Sequence, residues 1–222
     1  MHEVAETAST NDDLAAAAAG GAPDRTVIVA GHQSAGRGRL DRTWDAPPGA
    51  NLLVSVLFRA PTEDPGTLMQ RMALGAVVAC RQVADVDARL KWPNDLLVGE
   101  RKLAGLLGQR LDDGSVVLGM GLNVRWCPPG AAMLGTDHKP GDVLAATLAA
   151  IDAQSADVTF EYRRRLLTIG RRVRVQVVGH MIEGLANDVD ARGRLLVIDD
   201  AGAHHWLDAG DVVHLRDAGA ER

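Results

Sequence analysis

The apolar positions in the first 125 residues form several short runs and one longer helical stripe. The short runs are rich in Val, Ile and Leu, which is typical of buried strands. They lie at 26–30, 51–58, 96–98, 102–107 and 116–124. Between residues 68 and 83, apolar side chains recur every three or four positions and predict a helix. Gly99-Glu100 separates two of the runs and predicts a type II′ hairpin.

Helices are also predicted on either side of this region. Ser9 to Asp13 has the pattern of a helix start, with Thr10 as the capping residue and acidic side chains in the first turn. The following alanine run ends at Gly20-Gly21. A second helical pattern covers 143–167, with an interruption near 155–157. Together with the strands, these helices predict an α+β domain built on a mixed sheet.

The pattern changes after residue 169, where apolar and polar residues begin to alternate in short stretches. Val173, Val175 and Val177 alternate with Arg and Gln, a polar turn covers 190–193, and a last strand is predicted at 212–215. Short strands separated by polar turns favour a small β-barrel. We therefore predict two domains, 1–168 and 169–222.

Composition narrows the classes of function. The net charge of −5 is the wrong sign for a protein that mainly binds nucleic-acid phosphates. Cys80 and Cys127 are far apart and lack metal-site spacing, so we expect buried free thiols. The first 24 residues contain neither a basic segment nor an apolar core of a signal peptide. We expect a cytoplasmic protein without a membrane span.

Three arginines lie on a glycine-containing loop, Gly36-Arg37-Gly38-Arg39-Leu40-Asp41-Arg42. Glycine lets backbone N–H groups approach a ligand, and guanidinium groups bind phosphate oxygens in pairs. The spacing matches neither a P-loop nor a dinucleotide-binding fingerprint. From spacing alone, a nucleotide site and a solvated basic loop that contacts nucleic acid both remain open. Trp44 follows, either to cover a base or to fill the core.

A second polar segment, Lys91-Trp92-Pro93-Asn94-Asp95, precedes the predicted hairpin. The proline favours an extended Trp92 and a turn at Asn94 and Asp95, which either bind ligand or only shape the turn. In the predicted hairpin Leu97 pairs with Lys102 and Asp95 lies opposite Ala104. Lys102 is therefore predicted next to this turn, as an active-site ammonium rather than a surface lysine.

Glycines and small polar residues complete the candidate site. Gly119 and Gly121 interrupt a predicted strand, which is unfavourable unless another group must approach the backbone closely. Ser9, Thr10 and Gln33 offer hydroxyl and amide groups that suit a cyclic urea, which needs both donors and acceptors. Taken alone, the same three residues indicate no more than a helix cap.

Four segments occur in the order and approximate spacing of one enzyme family. They are Ser9-Thr10-Asn11, Gln33 to Trp44, Lys91 to Gly105, and Gly119-Met-Gly121-Leu-Asn123. In this respect the chain resembles the biotin protein ligases. The resemblance implies a class II synthetase-like catalytic domain with a mixed sheet and flanking helices, followed by an SH3-like barrel. It also implies a monofunctional enzyme without a DNA-binding domain, because the ligand-binding segment begins at residue 9.

The resemblance further implies a role for each site residue. Lys102 and Arg39 would be catalytic, and Asp95 would contact Mg²⁺. The biotin-binding residues would be Ser9, Thr10, Asn11, Gln33, Arg37, Gly38, Arg39, Lys102 and Gly105. The ATP-binding residues would be Arg39, Arg42, Trp44, Asn94, Asp95, Lys102 and Asn123. Asp41 departs from the family, which has glycine there, and we expect its carboxylate to repel the triphosphate.

The implied reaction uses ATP and Mg²⁺ to activate biotin as biotinyl-5′-AMP. The activated biotin would then pass to a lysine on the biotin carboxyl carrier domain of acetyl-CoA carboxylase or a related carboxylase. A lipoate ligase-type acyltransferase is the alternative enzyme. A noncatalytic nucleic-acid-binding module is the alternative from a different class.

Overall fold

The computed structural model describes residues 1–40, 42–177, 179–208 and 210–215. Asp41, and with it the expected repulsion of triphosphate, lies outside the described residues. The helices are α1 (Thr10–Ala19), α2 (Pro65–Ala84), α3 (Pro140–Asp152) and α4 (Thr159–Arg165). The strands are β1 (His2–Thr7), β2 (Val27–Gln33), β3 (Leu52–Phe58), β4 (Arg89–Lys91), β5 (Asp95–Val98), β6 (Arg101–Arg110), β7 (Val116–Leu122), β8 (Arg172–Val177), β9 (His180–Val189), β10 (Leu195–Ile198), β11 (His204–Leu207) and β12 (Asp211–His214).

Seven strands form the larger sheet, in the order β1-β2-β3-β7-β6-β5-β4. Pairing of β1 with β2 is parallel and every other neighbouring pair is antiparallel, so the sheet is mixed as predicted. All seven residues of β3 are buried, because helices cover both faces of this largely apolar strand. The sheet therefore forms the rigid base from which the polar loops project.

Two clusters of apolar side chains hold the helices against the sheet. On one face α1 contributes Leu14, which belongs to a cluster with Leu57 and Val117. On the other face lies the main core, which includes buried side chains of α2 and α3. The helical stripe predicted at 68–83 is confirmed within the longer α2, whereas the pattern at 143–167 divides into α3 and α4.

The smaller sheet is antiparallel and has the strand order β11-β10-β9-β8-β12. Among the described strands, β11 and β12 form its two edges, so this order is that of an open sheet rather than a closed barrel. The predicted turn at 190–193 docks on α2, where the side-chain amide of Gln70 donates to the carbonyl oxygens of Asp190 and Ala191. This contact joins α2 to the smaller sheet.

Several local predictions need correction. The N-cap of α1 is Ser9, not Thr10, and the Ser9 side chain makes no capping hydrogen bond; the Thr10 N–H donates instead to Gln33 Oε1. Cys80 is buried and Cys127 is only partly buried; both thiols are free.

Gly99 has a φ of +60°, as the predicted hairpin requires. In the part of the chain that is described, no helix combines the length and hydropathy needed to cross a bilayer.

Candidate active site

All fourteen residues predicted to bind biotin or ATP line one cavity of about 300 Å³. The lining residues are Ser9, Thr10, Asn11, Gln33, Arg37, Gly38, Arg39, Arg42, Trp44, Asn94, Asp95, Lys102, Gly105 and Asn123. They come from the start of α1, the end of β2, the arginine loop, the β4–β5 turn, β6 and the residue after β7. The cavity volume is at the lower end of the range for small-molecule sites.

The arginine loop folds back on itself as a narrow ribbon. Arg37 and Thr43 form an antiparallel bridge. The Gly38 N–H donates to the Arg42 carbonyl at 2.6 Å, and the Trp44 N–H donates to the Gly36 carbonyl at 2.8 Å. A β-carbon on Gly36 would lie 2.3 Å from the Trp44 carbonyl oxygen, so the ribbon can close this tightly only with glycine there.

The three guanidinium groups of this loop have different partners. Arg37 forms an ion pair with Asp12 of α1. Arg39 donates to the Asn94 side chain at 3.4 Å and to the Gly210 carbonyl at 3.2 Å. Arg42 pairs with Asp211 of β12 at 2.7 Å, through side chains that are largely exposed. The smaller sheet thus holds two of the three arginines.

Burial lowers the pKa of Arg39, while the carboxylates of Asp211 and Asp95 act in the opposite direction. An arginine guanidinium starts so far above neutrality that this shift leaves it charged. Because Arg39 is partly desolvated, its charge acts on nearby oxygens with less screening than a surface arginine would have. The environment favours binding of an anion.

The cavity floor is made by glycines of β6 and β7. A β-carbon on Gly121 would lie 2.4 Å from the Trp44 ring, and one on Gly105 would lie 3.1 Å from Lys102 Nζ. Trp44 therefore packs directly on the strand backbone, as the two glycines in the β7 sequence indicated. Lys102 Nζ lies 5.6 Å from the centre of the Trp44 ring, which is a cation–π arrangement.

Lys102 and Asp95 form the charged pair at the end of this floor. Lys102 Nζ lies 2.7 Å from Asp95 Oδ1, although the atoms are not aligned as a hydrogen bond and this buried oxygen has no hydrogen-bond donor among the described residues. The predicted pairing of Leu97 with Lys102 is confirmed. The pairing of Asp95 with Ala104 is wrong, because a bulge after Leu96 shifts the register and places Asp95 opposite Gly105.

A group of small polar side chains forms the other end of the cavity. The Thr10 N–H and hydroxyl both lie within hydrogen-bond distance of Gln33 Oε1, at 2.8 and 2.9 Å. Asn11 is buried and its side-chain amide donates to the Leu107 carbonyl at 3.3 Å. A β-carbon on Gly119 would lie 2.2 Å from Asn11 Oδ1, so this glycine leaves room for the amide.

Two of the predicted nucleotide ligands already have protein partners. Asn94 donates to the Leu106 carbonyl at 2.7 Å. Asn123 is buried, accepts from the Asn51 side chain at 3.2 Å and donates to the Ala132 carbonyl at 2.9 Å. These bonds shape the cavity wall, and direct contacts of either side chain with ATP stay predictions.

Comparison with known proteins identifies the family. The model described as "Biotin/lipoate A/B protein ligase family" matches residues 6–124, which is more than half of the chain. A second model, "Biotin protein ligase C terminal domain", matches residues 168–215. The chain belongs to the biotin/lipoate A/B protein ligase family. Its C-terminal match and its relatives place it with the biotin protein ligases.

The similar family members cover most of the chain. The biotin–[acetyl-CoA-carboxylase] ligase of Mycobacterium tuberculosis is 39% identical over 96% of this chain and 88% of its own length. The bifunctional ligase/repressor BirA of Escherichia coli is 30% identical over 86% of this chain and 67% of its own. The biotin protein ligase of Aquifex aeolicus, solved in complex with biotin and ATP, superposes with a TM-score of 0.81 at 25% identity, covering 97% of this chain and 98% of that one.

Several cavity residues of this family member were missed by sequence reasoning. They are Pro128, Ala131, Asp211 and Val212, all of which line the cavity. Asp211 lies 169 positions from Arg42 along the chain, so no local pattern could have joined them. Ser55 was also missed; it is fully buried on β3 and bonded to Thr10 and Asn11. A single polar residue within an apolar strand was the available signal.

Trp92 links the β4–β5 turn to the smaller sheet. Its indole N–H donates to the Gly193 carbonyl at 2.8 Å, and its backbone N–H donates to the Thr168 hydroxyl at 3.1 Å. His214 Nε2 lies 3.1 Å from the same hydroxyl. Burial, with Lys91 and Arg171 nearby, lowers the pKa of His214 to about 4, so its imidazole is neutral at pH 7.

His214 should therefore make stability depend on pH. As the pH falls below 6.5, the pKa of the unfolded state, His214 of the unfolded chain binds a proton, whereas His214 of the folded chain does not until about pH 4. The free energy of unfolding therefore decreases as the pH is lowered from 6.5 to about 4. Because His214 is half-buried and solvent screens its charge, we expect this decrease in the free energy of unfolding to be about 1–2 kcal/mol. Urea unfolding of His214→Gln should show a shallower loss than the wild type over this range. His204→Gln, which changes an exposed histidine on β11, should follow the wild type; equal slopes for all three proteins would refute the assignment.

Proposed function

We propose that this protein is a biotin protein ligase, which activates biotin with ATP and transfers it to a lysine of a biotin carboxyl carrier domain. The observation that carries the proposal is the single cavity in which a small polar cluster, a lysine and three arginines converge. A cyclic urea fits the first group and a triphosphate fits the cations. The family relationship supports the same reaction, as does the name of the Mycobacterium tuberculosis relative.

At the polar end, the cavity offers hydroxyl and amide groups to the ureido ring. Ser9, Thr10 and Gln33 would bind its carbonyl and N–H groups, and Asn11 would help to define the pocket. Backbone groups of Arg37 and Gly38 would close over the ring, because the ribbon that contains them lies beside Asp12 of α1. The Gly105 position would leave space for the valeryl chain to reach Lys102.

At the charged end, Lys102 would hold the biotin carboxylate against the α-phosphate. A carboxylate oxygen attacks the α-phosphorus and pyrophosphate leaves, giving the mixed anhydride biotinyl-5′-AMP. Negative charge builds on the transferring oxygens, and fixed cations of Lys102, Arg39 and Arg42 stabilise it. Trp44 would cover the adenine. Asn94 and Asn123 would position the nucleotide from the cavity wall that their hydrogen bonds shape.

Asp95 is the residue that fits a magnesium ion. Its Oδ1 is buried with Lys102 as the only charged neighbour within contact among the described residues, and carboxylate oxygens are preferred ligands of Mg²⁺. No group of three or more metal-ligating side chains occurs in the described part of the chain, so the triphosphate would supply further oxygens. When bound, Mg²⁺ neutralises phosphate charge.

The second step needs access for a protein lysine and exclusion of water. A lysine amine of the carrier domain attacks the activated carbonyl and AMP leaves. We place the carrier at the cavity mouth, where the arginine ribbon and β12 meet. The division into a catalytic domain, 1–168, and a C-terminal domain, 169–222, is part of this proposal. Because ATP supplies the energy, we place the reaction in the cytoplasm.

The experiment is a two-stage assay with purified protein. Incubation with MgATP and biotin should yield biotinyl-5′-AMP and pyrophosphate, and addition of a carboxylase carrier domain should give one biotin per carrier by mass spectrometry. Replacement of biotin by lipoic acid should give no adenylate. Formation of lipoyl-AMP alone would instead establish the lipoate ligase. Absence of both adenylates, with salt-sensitive binding of nucleic acid, would contradict enzymatic function.

Arg39→Ala should release the activated intermediate. In the proposed complex the partly buried guanidinium binds the acyl phosphate, and its loss leaves the anhydride weakly held. We expect biotinylation of a bystander protein such as serum albumin to rise at least about fivefold, a loss of about 1 kcal/mol of retention. Arg101→Ala, which changes an exposed arginine of β6, is the control. Unchanged acceptor specificity in Arg39→Ala would exclude the assigned role.

A further inference from the structure

At the polar end of the cavity four side chains form a chain of contacts, in which Ser55, Thr10 and Asn11 are buried and Gln33 is half-buried. Ser55 on β3 is fully buried, and its Oγ lies 2.7 Å from Thr10 Oγ1 and 2.6 Å from Asn11 Oδ1. Thr10 Oγ1 in turn lies 2.9 Å from Gln33 Oε1. Ser55 itself does not line the cavity, whereas the three residues that it joins do.

The neighbouring backbone fixes the orientation of both amides. Gln33 must turn its oxygen towards Thr10, because the Thr10 backbone N–H donates to it at 2.8 Å. Asn11 turns its nitrogen towards the Leu107 carbonyl at 3.3 Å, which leaves Oδ1 facing Ser55. Neither amide oxygen carries a proton.

The chain consequently has fewer protons than contacts. Three oxygen–oxygen contacts, at 2.6, 2.7 and 2.9 Å, share the two hydroxyl protons of Ser55 and Thr10. Whichever way the hydroxyls rotate, one contact has no proton between its oxygens. Two buried oxygens at hydrogen-bond distance without a proton repel each other, and a donor from outside relieves this repulsion.

We propose that Ser55 is a positioning residue, because it orients the hydroxyl and amide groups so that an oxygen at the cavity wall lacks a hydrogen-bond donor. Its proton goes to Asn11 Oδ1, which makes the shortest contact and has no other donor among the described residues. Thr10 then has one proton for two acceptors, Ser55 and Gln33. When that proton points to Ser55, the cavity-lining Gln33 Oε1 accepts only from the Thr10 N–H and keeps a lone pair for a ligand N–H. The pocket therefore selects a small acid whose far end carries N–H groups.

This inference rests on the proposed function and deepens it. A cyclic urea brings two N–H donors to the wall, whereas a dithiolane ring brings none, so the hydroxyl chain contributes directly to discrimination between the two acids. A site built to accept hydrogen bonds rejects a ligand that lacks the donors much more strongly than an apolar pocket rejects a ligand of similar shape. Desthiobiotin, which keeps the urea and lacks the sulfur ring, should bind where lipoic acid does not.

The test compares binding of biotin alone and of a nonhydrolysable ATP analogue alone, by calorimetry. Ser55→Ala removes the donor to Asn11 and should weaken biotin about tenfold while the ATP analogue changes less than twofold. Ser115→Ala is the matched control, because it removes another buried serine hydroxyl away from the cavity. It should leave both affinities within twofold of the wild type, even if it lowers the urea midpoint.

A second variant covers the case in which Ser55→Ala does not fold. Ser55→Cys keeps a side chain of similar shape with a weaker donor, and should weaken biotin about threefold without affecting the ATP analogue. Wild-type affinity for biotin in a folded Ser55 variant would overturn the inference and leave the proposed function intact. An equal loss of affinity for biotin and for the ATP analogue would also overturn it, because it would indicate a general structural role for Ser55. Absence of biotin binding in the wild type would overturn both.

Discussion

Replacing Lys102 by alanine should slow formation of biotinyl-5′-AMP about 100- to 1,000-fold. Lys102 is the cation at the meeting point of carboxylate and α-phosphate in the proposed complex, and a fixed charge at a developing negative charge contributes about 3–4 kcal/mol. Its side chain is 40% exposed, so the apolar core should tolerate the change. Single-turnover measurement of pyrophosphate release with saturating biotin and MgATP gives the rate directly.

Two further lysine variants make this result specific. Lys139→Ala removes an exposed lysine just before α3, outside the cavity, and should retain the wild-type rate. Lys102→Arg keeps a positive charge, but replaces the compact ammonium by a planar fork, and should recover only part of the rate. Pyrophosphate release at the wild-type rate in Lys102→Ala would show that the activating charge lies elsewhere. A fall in the urea midpoint matching the fall in rate would indicate a structural role.

Replacing Trp44 by alanine should weaken ATP far more than biotin. The ring lies on the glycine floor with Lys102 beside it and lines the cavity, where the proposed adenine would stack on it. Loss of such stacking costs about 1–3 kcal/mol, or about five- to 150-fold in affinity. Calorimetry with each ligand separately measures the two losses.

The exposed Trp206 of β11 provides the control for Trp44. It packs against Arg194 in the smaller sheet, outside the cavity, and Trp206→Ala should change neither affinity. Trp44→Phe should keep a stacking surface and recover much of the ATP binding. Equal losses of ATP and biotin in Trp44→Ala, or loss of folding, would make Trp44 a core residue that only supports the floor.

The sequence predicted the site well where the chemistry is local. The pair Lys102 and Asp95 followed from one hairpin, because a turn of fixed length brings the two sides of a hairpin together. The glycines of β7 indicated a close approach to the backbone, and the structure supplies the reason in Trp44 and Asn11. In both cases the information lies within a few residues of the side chain that uses it.

Long-range pairing explains what the sequence did not predict. The parallel strand β1 carries no strong apolar alternation, since it lies at the edge of the sheet and is mostly exposed. The bulge after Leu96 has no signal in the local sequence, so the predicted register of Asp95 was wrong by one residue. Asp211 and Ser55 reach the site only through tertiary contacts, and an isolated polar residue in a strand has many possible roles.

Because Arg39 and Arg42 bind residues at the start of β12, completion of the site depends on the order in which the ribosome synthesises the chain. Lys102 and the arginine loop emerge long before Gly210 and Asp211, which hold Arg39 and Arg42. A growing polypeptide can form the larger sheet while Arg39 and Arg42 still lack these anchors, because domains generally fold from the N-terminal side during synthesis. A chain that stops before residue 210 therefore lacks the partners that hold Arg39 and Arg42, and the complete anion pocket forms only after synthesis has passed residue 211.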